Sequence, residues 1–319
     1  MDEQAIRFCK EMRALKAAAP KRPIAPGALF HLVLNRPELN ARMETYSPRP
    51  LPLHPDLPGT KTSYEIVEAL QAGESYHSQV WLAKPLGPHS DSDTLLVFKF
   101  IVASHLPQQD EVPRASYRSL EQVATNQHEP FEKLWFLQGS FLPWFYGVHE
   151  VTTPWGEPGK LFVMEYIPTT FRAFTESESQ AKMSVEAYAN LFKKTLRILD
   201  IAHEASITHG DISLDNLLVD TTTSTPTFDD PGSIPRLVFI DWRNEAKDDP
   251  RGAEAMTYFF IERDIRLLFR IFVGALAIEA RQEEDYMNFI KRMYKDDEVS
   301  QRLIEMTVLG GQPEVYLFE

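Results

Sequence analysis

His209-Gly210-Asp211-Ile212-Ser213-Leu214-Asp215-Asn216, continued by Leu217-Leu218-Val219, is a short polar loop that runs straight into an apolar segment. It sets the carboxylate of Asp211 and the carboxamide of Asn216 five residues apart. Downstream, Leu237-Val238-Phe239-Ile240 is a compact apolar strand that ends on Asp241, followed by Trp242-Arg243. Upstream, Val97-Phe98-Lys99 lies inside the strand-like run Thr94 to Ile101. Singly these features are ordinary, since a strand lysine usually faces solvent and an aspartate after a strand usually forms a turn. Their order along one chain gives them a joint meaning.

That meaning is electrostatic. A nucleoside triphosphate brings about four negative charges into a cleft, and they must be neutralised there. Magnesium takes oxygen ligands and keeps several waters, so one or two carboxylate or amide oxygens suffice. Asn216 and Asp241 supply such oxygens, Lys99 supplies a positive point charge, and Asp211 supplies a group that accepts a hydroxyl proton during in-line attack.

The same residues resemble the protein-kinase-like superfamily, over roughly residues 63 to 280. His209-Gly210-Asp211 with Asn216 resembles its catalytic loop, with glycine where arginine is commoner. Ile240-Asp241-Trp242-Arg243 resembles its metal-binding strand end, with Trp-Arg in place of Phe-Gly. Val97-Phe98-Lys99 is similar to the third-strand lysine motif. The resemblance implies a bilobal α+β fold, with an antiparallel sheet and one helix in the N-lobe and a mostly helical C-lobe. It implies Asp211, Lys99 and Asn216 as catalytic, Asn216 and Asp241 as ligands of Mg2+, and His209 and Asp264 as structural supports, Asp264 holding the catalytic loop's backbone. ATP is expected to meet Gly73, Ser75, Ser78, Val80, Val97, Lys99, Glu165 and Ile167, with Leu218 as the floor beneath adenine.

Departures from the family pattern are concrete. Gly73-Glu74-Ser75-Tyr76-His77-Ser78-Gln79-Val80 keeps one glycine of the phosphate loop and has serine at the other two positions. Inward spacing relative to Phe131 and Leu134 favours Gln127 as the partner of Lys99, with Glu129 and Glu121 as the acidic alternatives. Ser213 stands where many protein kinases carry lysine. Only 23 steps separate Asp241 from Asp264, with no Ala-Pro-Glu between them, so a long activation segment is not expected. Gly210 and Trp242 occur in relatives that phosphorylate small molecules. The expected activity is an ATP/Mg-dependent phosphotransferase acting on a hydroxyl of a protein or small molecule. The rival is a pseudokinase, a nucleotide-binding or scaffold module.

Working outward, three regions follow: a Pro-rich extension at 1–62, an N-lobe at 63–167 and a C-lobe at 168–319. Residues 1–60 hold 9 of the 23 prolines and a charge of +3, from nine basic and six acidic residues. The run Tyr46 to Pro58 cannot donate a regular ladder of amides and reads as an extended linker or surface strap, with a protein partner as one use. Strands are expected near Tyr64–Leu70, Val80–Ala83, Thr94–Ile101, Leu142–His149, Leu161–Tyr166 and Leu237–Ile240. Helices are expected at Arg114–Leu137, with a break or kink at Pro130, and at Ser184–Ala205, Ala255–Ala280, Glu283–Tyr294 and Val299–Thr307. The short segment after Asp241 and the helices after Ala280 are expected to form the acceptor pocket.

The 319-residue chain carries 33 Lys and Arg against 46 Asp and Glu, a net charge of −13, which argues against a nucleic-acid partner. Cys9 is the only cysteine, which excludes an internal disulfide and a cysteine zinc site. The apolar run near Ile271–Ile278 is about half of a membrane span, so no membrane partner is expected, and a soluble cytoplasmic or nuclear protein is.

Overall fold

The computed structural model describes residues 3–53, 58–73, 75–87, 94–112, 117–177, 185–220, 235–244 and 253–278. The expected helices at 283–294 and 299–307, the loop 221–234 and the acceptor segment after Ala280 lie outside them. The chain is α+β and divides into two units, Met1–Ile167 with Trp242–Pro250, and Pro168–Asp241 with Arg251–Glu319.

The first unit is built on a six-stranded antiparallel sheet. Its strands are β1 (Leu29–Val33), β2 (Lys61–Gln71), β3 (Ser78–Leu86), β4 (Leu96–Val102), β5 (Phe145–Thr152) and β6 (Pro158–Glu165), in the order β1-β2-β3-β4-β6-β5. Alternation decides which side chains enter the core. Tyr64, Phe98 and Phe100 are fully or almost fully buried, and Phe30 of β1 lies 5.0 Å from the Phe100 ring and 6.4 Å from the Phe98 ring. Each such ring contributes about 1.5–3 kcal/mol relative to exposure.

The described part of residues 1–62 belongs to this first unit. α1 (Glu3–Ala18) buries Cys9 and Met12, and Arg13 pairs with Asp110. β1 is the edge strand of the sheet. The short α2 (Ala41–Glu44) is capped by Asn40, whose side chain accepts from the Arg42 and Met43 amides. The described part of the Pro-rich run, up to Leu53, is a strap folded into this unit: Arg49 and Leu53 are buried, and the Trp144 indole donates to the Arg49 carbonyl at 3.1 Å.

α3 (Leu120–Lys133) is shorter than the expected helix. Ser119 starts it with a reciprocal capping box to Gln122, and the helix runs through Pro130 for one last turn. Pro130 is tolerated there because the helix ends three residues later, with the Leu134 amide donating to the Pro130 carbonyl. α3 packs through Phe131, stacked on Phe145 at 4.2 Å, and Phe145 in turn meets Phe162.

In the second unit, α4 (Phe171–Thr175) and α5 (Val185–Glu204) precede a two-stranded ribbon of β7 (Leu217–Asp220) and β8 (Arg236–Phe239), and α6 (Ala253–Ile278) follows. α5 buries Ala189, Phe192, Leu196, Leu199 and Ala202, the stripe its helical spacing implies. Tyr188 and Phe192 pack on Phe272 of α6 at 5.1 and 5.3 Å, and the Tyr188 hydroxyl donates to the Phe272 carbonyl. Among the described residues, no helix is long and apolar enough to cross a membrane.

Candidate active site

The second unit gathers Asp211, Asn216, Asp241, His209 and Asp264. After α5 the chain turns at Ser206, φ 57°, and Ile207, Thr208, His209 and Gly210 are buried. Asp264 of α6, with no exposed surface, accepts from the His209 amide at 2.6 Å and the Gly210 amide at 2.9 Å. The His203 ring lies 3.2 Å from the same carboxylate. Gly210 has φ 77°, a left-handed conformation that favours glycine.

His209 is fully buried. The Asp211 amide donates to its Nδ1 at 3.3 Å, which puts the ring proton on Nε2, and Phe239 packs against it at 5.7 Å. Burial lowers its pKa by more than the nearby Asp264, Asp241 and Asp211 carboxylates and the Ile240 backbone raise it. The ring is neutral at physiological pH.

Asn216 ties the loop to the strand end. Its amide nitrogen donates to the Ser213 hydroxyl at 3.1 Å, so Ser213 acts as a turn former. Its side-chain Nδ2 donates to the Asp211 carbonyl at 2.8 Å and approaches the Asp211 carboxylate at 3.3 Å. Its carbonyl accepts from the Ile240 amide at 3.1 Å, extending the β7–β8 ladder to the residue before Asp241. Asp241 has φ 62°, an uncommon conformation for a non-glycine residue and one that clusters at functional sites. Leu218 pairs with Val238 and bridges to Thr170.

The first unit carries the remaining expected residues. Lys99 is buried in β4, opposite Val80 of β3 and Phe162 of β6. Cross-strand partners share a face, so Lys99 and Val80 lie on the side that reaches α3 through Phe162, Phe145 and Phe131. Val97 is half-buried opposite Leu82 and Met164. Gly73 and Ser75 are exposed in the β2–β3 turn, and Ser78 opens β3, its carbonyl accepting from the Gln71 side chain at 3.1 Å.

The α3 acids separate by burial. Glu121 is exposed and pairs with Lys160 at 2.8 Å, and Gln127 is only half-buried. Glu129, which fits the apolar spacing less well, is the buried acid. Lys133 pairs with it at 2.9 Å, and the buried Asn244 donates its Nδ2 to it at 2.8 Å. The inward placement expected for Gln127 thus belongs to Glu129, because two polar partners offset the cost of burying a carboxylate.

Glu165 and Ile167 are both buried at the end of the first unit. Arg49 grips the Glu165 carboxylate with Nε at 2.9 Å and Nη2 at 2.7 Å, the Trp144 amide donates to it at 3.0 Å, and the Glu165 amide donates to the Trp144 carbonyl. The Glu165 carboxylate is turned into the protein. Arg49 and Asn244 had no place in the sequence reading. Arg49 lies 116 residues from its partner, and only its place as the one Lys or Arg in the proline run sets it apart.

Among the described residues, no group of three or more His, Cys, Asp and Glu side chains is gathered to hold a metal ion. No protein-family model matches the chain, and no curated protein matches it.

Proposed function

We propose that this chain is an ATP- and magnesium-dependent phosphotransferase with a bilobal protein-kinase-like fold, acting on a hydroxyl of a protein or small molecule. The observation that carries the reading is the set of bonds around Asn216. One residue holds the Asp211 backbone with its side chain and the strand end before Asp241 with its carbonyl, while Asp264 secures the loop from behind.

The donor chemistry fits magnesium. With Nδ2 committed to the Asp211 carbonyl, the Oδ1 of Asn216 is the atom left for a cation, and Asp241 adds carboxylate oxygens. These are two hard oxygen donors, a number suited to a cation that arrives with a triphosphate. When bound, magnesium neutralises phosphate charge and orients the terminal group. Lys99 supplies the other positive charge. Asp211 takes the hydroxyl proton as the acceptor oxygen bonds to the terminal phosphorus and the bond to ADP breaks. The hydrogen bond from Asn216 keeps the Asp211 carboxylate aimed.

The test is nucleotide binding and transfer by the whole chain. ATP should raise the melting temperature more with magnesium than without it. Labelled ATP, screened against proteins and metabolites, should reveal a phosphorylated acceptor. Asp211→Asn should keep the magnesium-dependent shift and reduce transfer by about 10²–10⁴-fold. A metal-dependent shift with no transfer to any acceptor identifies a pseudokinase. No shift at all refutes the nucleotide site.

A further inference from the structure

We infer that Arg172 is a positioning residue for the magnesium ligand Asn216, acting through Asp215; this rests on the function proposed above. Arg172, in the first turn of α4, grips Asp215 with both prongs, Nε to Oδ1 at 2.8 Å and Nη2 to Oδ2 at 2.8 Å. Its backbone amide donates to the Leu214 carbonyl at 3.1 Å. One residue therefore holds the two loop positions immediately before Asn216.

The surrounding bonds show what the grip does. The Val219 amide donates to the Thr169 carbonyl, and Leu218 bridges to Thr170. The stretch 169–172 thus runs alongside 214–219 and is stitched to it at three backbone points. Thr170 caps α4 by accepting from the Ala173 amide at 3.1 Å, which fixes where Arg172 leaves the helix. On the far side of Asn216, its carbonyl is held by Ile240. Asn216 is restrained from both directions, and Arg172 supplies the restraint on the loop side.

Energetics separate this role from a structural one. The pair is about half exposed, 49% for Arg172 and 55% for Asp215. Exposed ion pairs contribute little to folding, so the two-pronged geometry has small value for stability. Its value lies in direction: a planar guanidinium matched to a carboxylate fixes orientation, which a lysine cannot do. Groups that orient a metal ligand typically change metal affinity by about 10–100-fold when removed.

The experiment measures ATP affinity calorimetrically, without and with magnesium, for the wild type, Arg172→Ala, Arg172→Lys, Asp215→Asn and the exchanged pair Arg172→Asp with Asp215→Arg. The three single variants should lose about 10–100-fold of the magnesium-dependent gain. Their metal-free affinity and ligand-free melting temperature should stay close to wild type, and the exchanged pair should recover part of the gain. Wild-type magnesium dependence in Arg172→Ala or Asp215→Asn overturns the inference and leaves the function standing. A ligand-free melting temperature that falls sharply in both variants makes the pair structural and also overturns it. A wild type whose ATP binding ignores magnesium overturns the function and the inference together.

Discussion

Arg49 and Glu165, 116 residues apart in sequence, meet in the interior of the first unit as a two-pronged ion pair with 5% and 8% of their side chains exposed. The remaining Arg49 donors reach the carbonyls of Ser140 at 3.0 Å and Leu142 at 3.4 Å, and the Trp144 amide completes the shell of Glu165. A charge pair this dry is tolerable only when nearly every donor and acceptor is matched. It fastens the Pro-rich strap to the last residue of β6.

Breaking that pair leaves one buried charge alone. Arg49→Ala and Glu165→Gln should each destabilise the chain by about 3–5 kcal/mol. Arg49→Met combined with Glu165→Leu should cost less than the two single changes added together. Urea unfolding of the four proteins checks this, and additive losses would contradict the pairing.

Gly139 should not accept a side chain. It has φ 71°, and a Cβ there would run into the Trp144 indole, which is fully buried and hydrogen-bonded to the strap. Gly139→Ala combines backbone strain with overpacking and should cost about 2–4 kcal/mol. The denaturant midpoint reads it. An unchanged midpoint would mean that Trp144 can move aside freely.

Asp264→Ala removes the acceptor for two buried amides. The expected loss is about 1–3 kcal/mol for each donor left without a partner. Asp264→Asn retains one acceptor oxygen and should fall between wild type and alanine. Hydrogen exchange at the His209 and Gly210 amides is the direct measurement, and these should exchange faster in both variants.

Acid should weaken the fold through the buried His209 and the half-buried His149. The pKa of His209 is depressed chiefly by burial, and that of His149 likewise, with the Tyr146 backbone opposing. The unfolded chain therefore binds protons that the folded chain does not, and stability falls as pH drops through about 6.5. The fully buried His209 should carry more of this slope than the half-buried His149. Melting temperatures from about pH 7.5 to 5.5 test the sign. Replacing His149 by Phe should flatten the slope; a stability that rises on acidification would reverse the assignment.

Much of the second unit was legible because its signals are local. The stripe Ala189, Phe192, Leu196, Leu199 and Ala202 repeats at helical spacing, and the apolar run ending at Ile240 forecasts β8. The loop from His209 to Asn216 drew attention through its spacing, and its geometry depends on neighbours within a few residues. The first unit was harder. β1 does alternate, but two of its three outward positions, Leu29 and Val33, are apolar and only His31 is polar, so polarity marked the face weakly. Glu129 ranked behind Gln127 because apolar spacing ignores a carboxylate buried with Lys133 and Asn244. The Pro-rich run lacks ladder donors, and that property alone cannot distinguish a free linker from a segment anchored by one arginine.

Because β1 is the outermost strand, it also acts as a cover. A chain shortened to begin after Pro58 would bare the hydrogen-bonding flank of β2 and remove Phe30 from its place over Phe98 and Phe100. Such a naked flank invites strands from neighbouring molecules, so trimming the proline-rich start should yield clumping protein instead of a tidier domain.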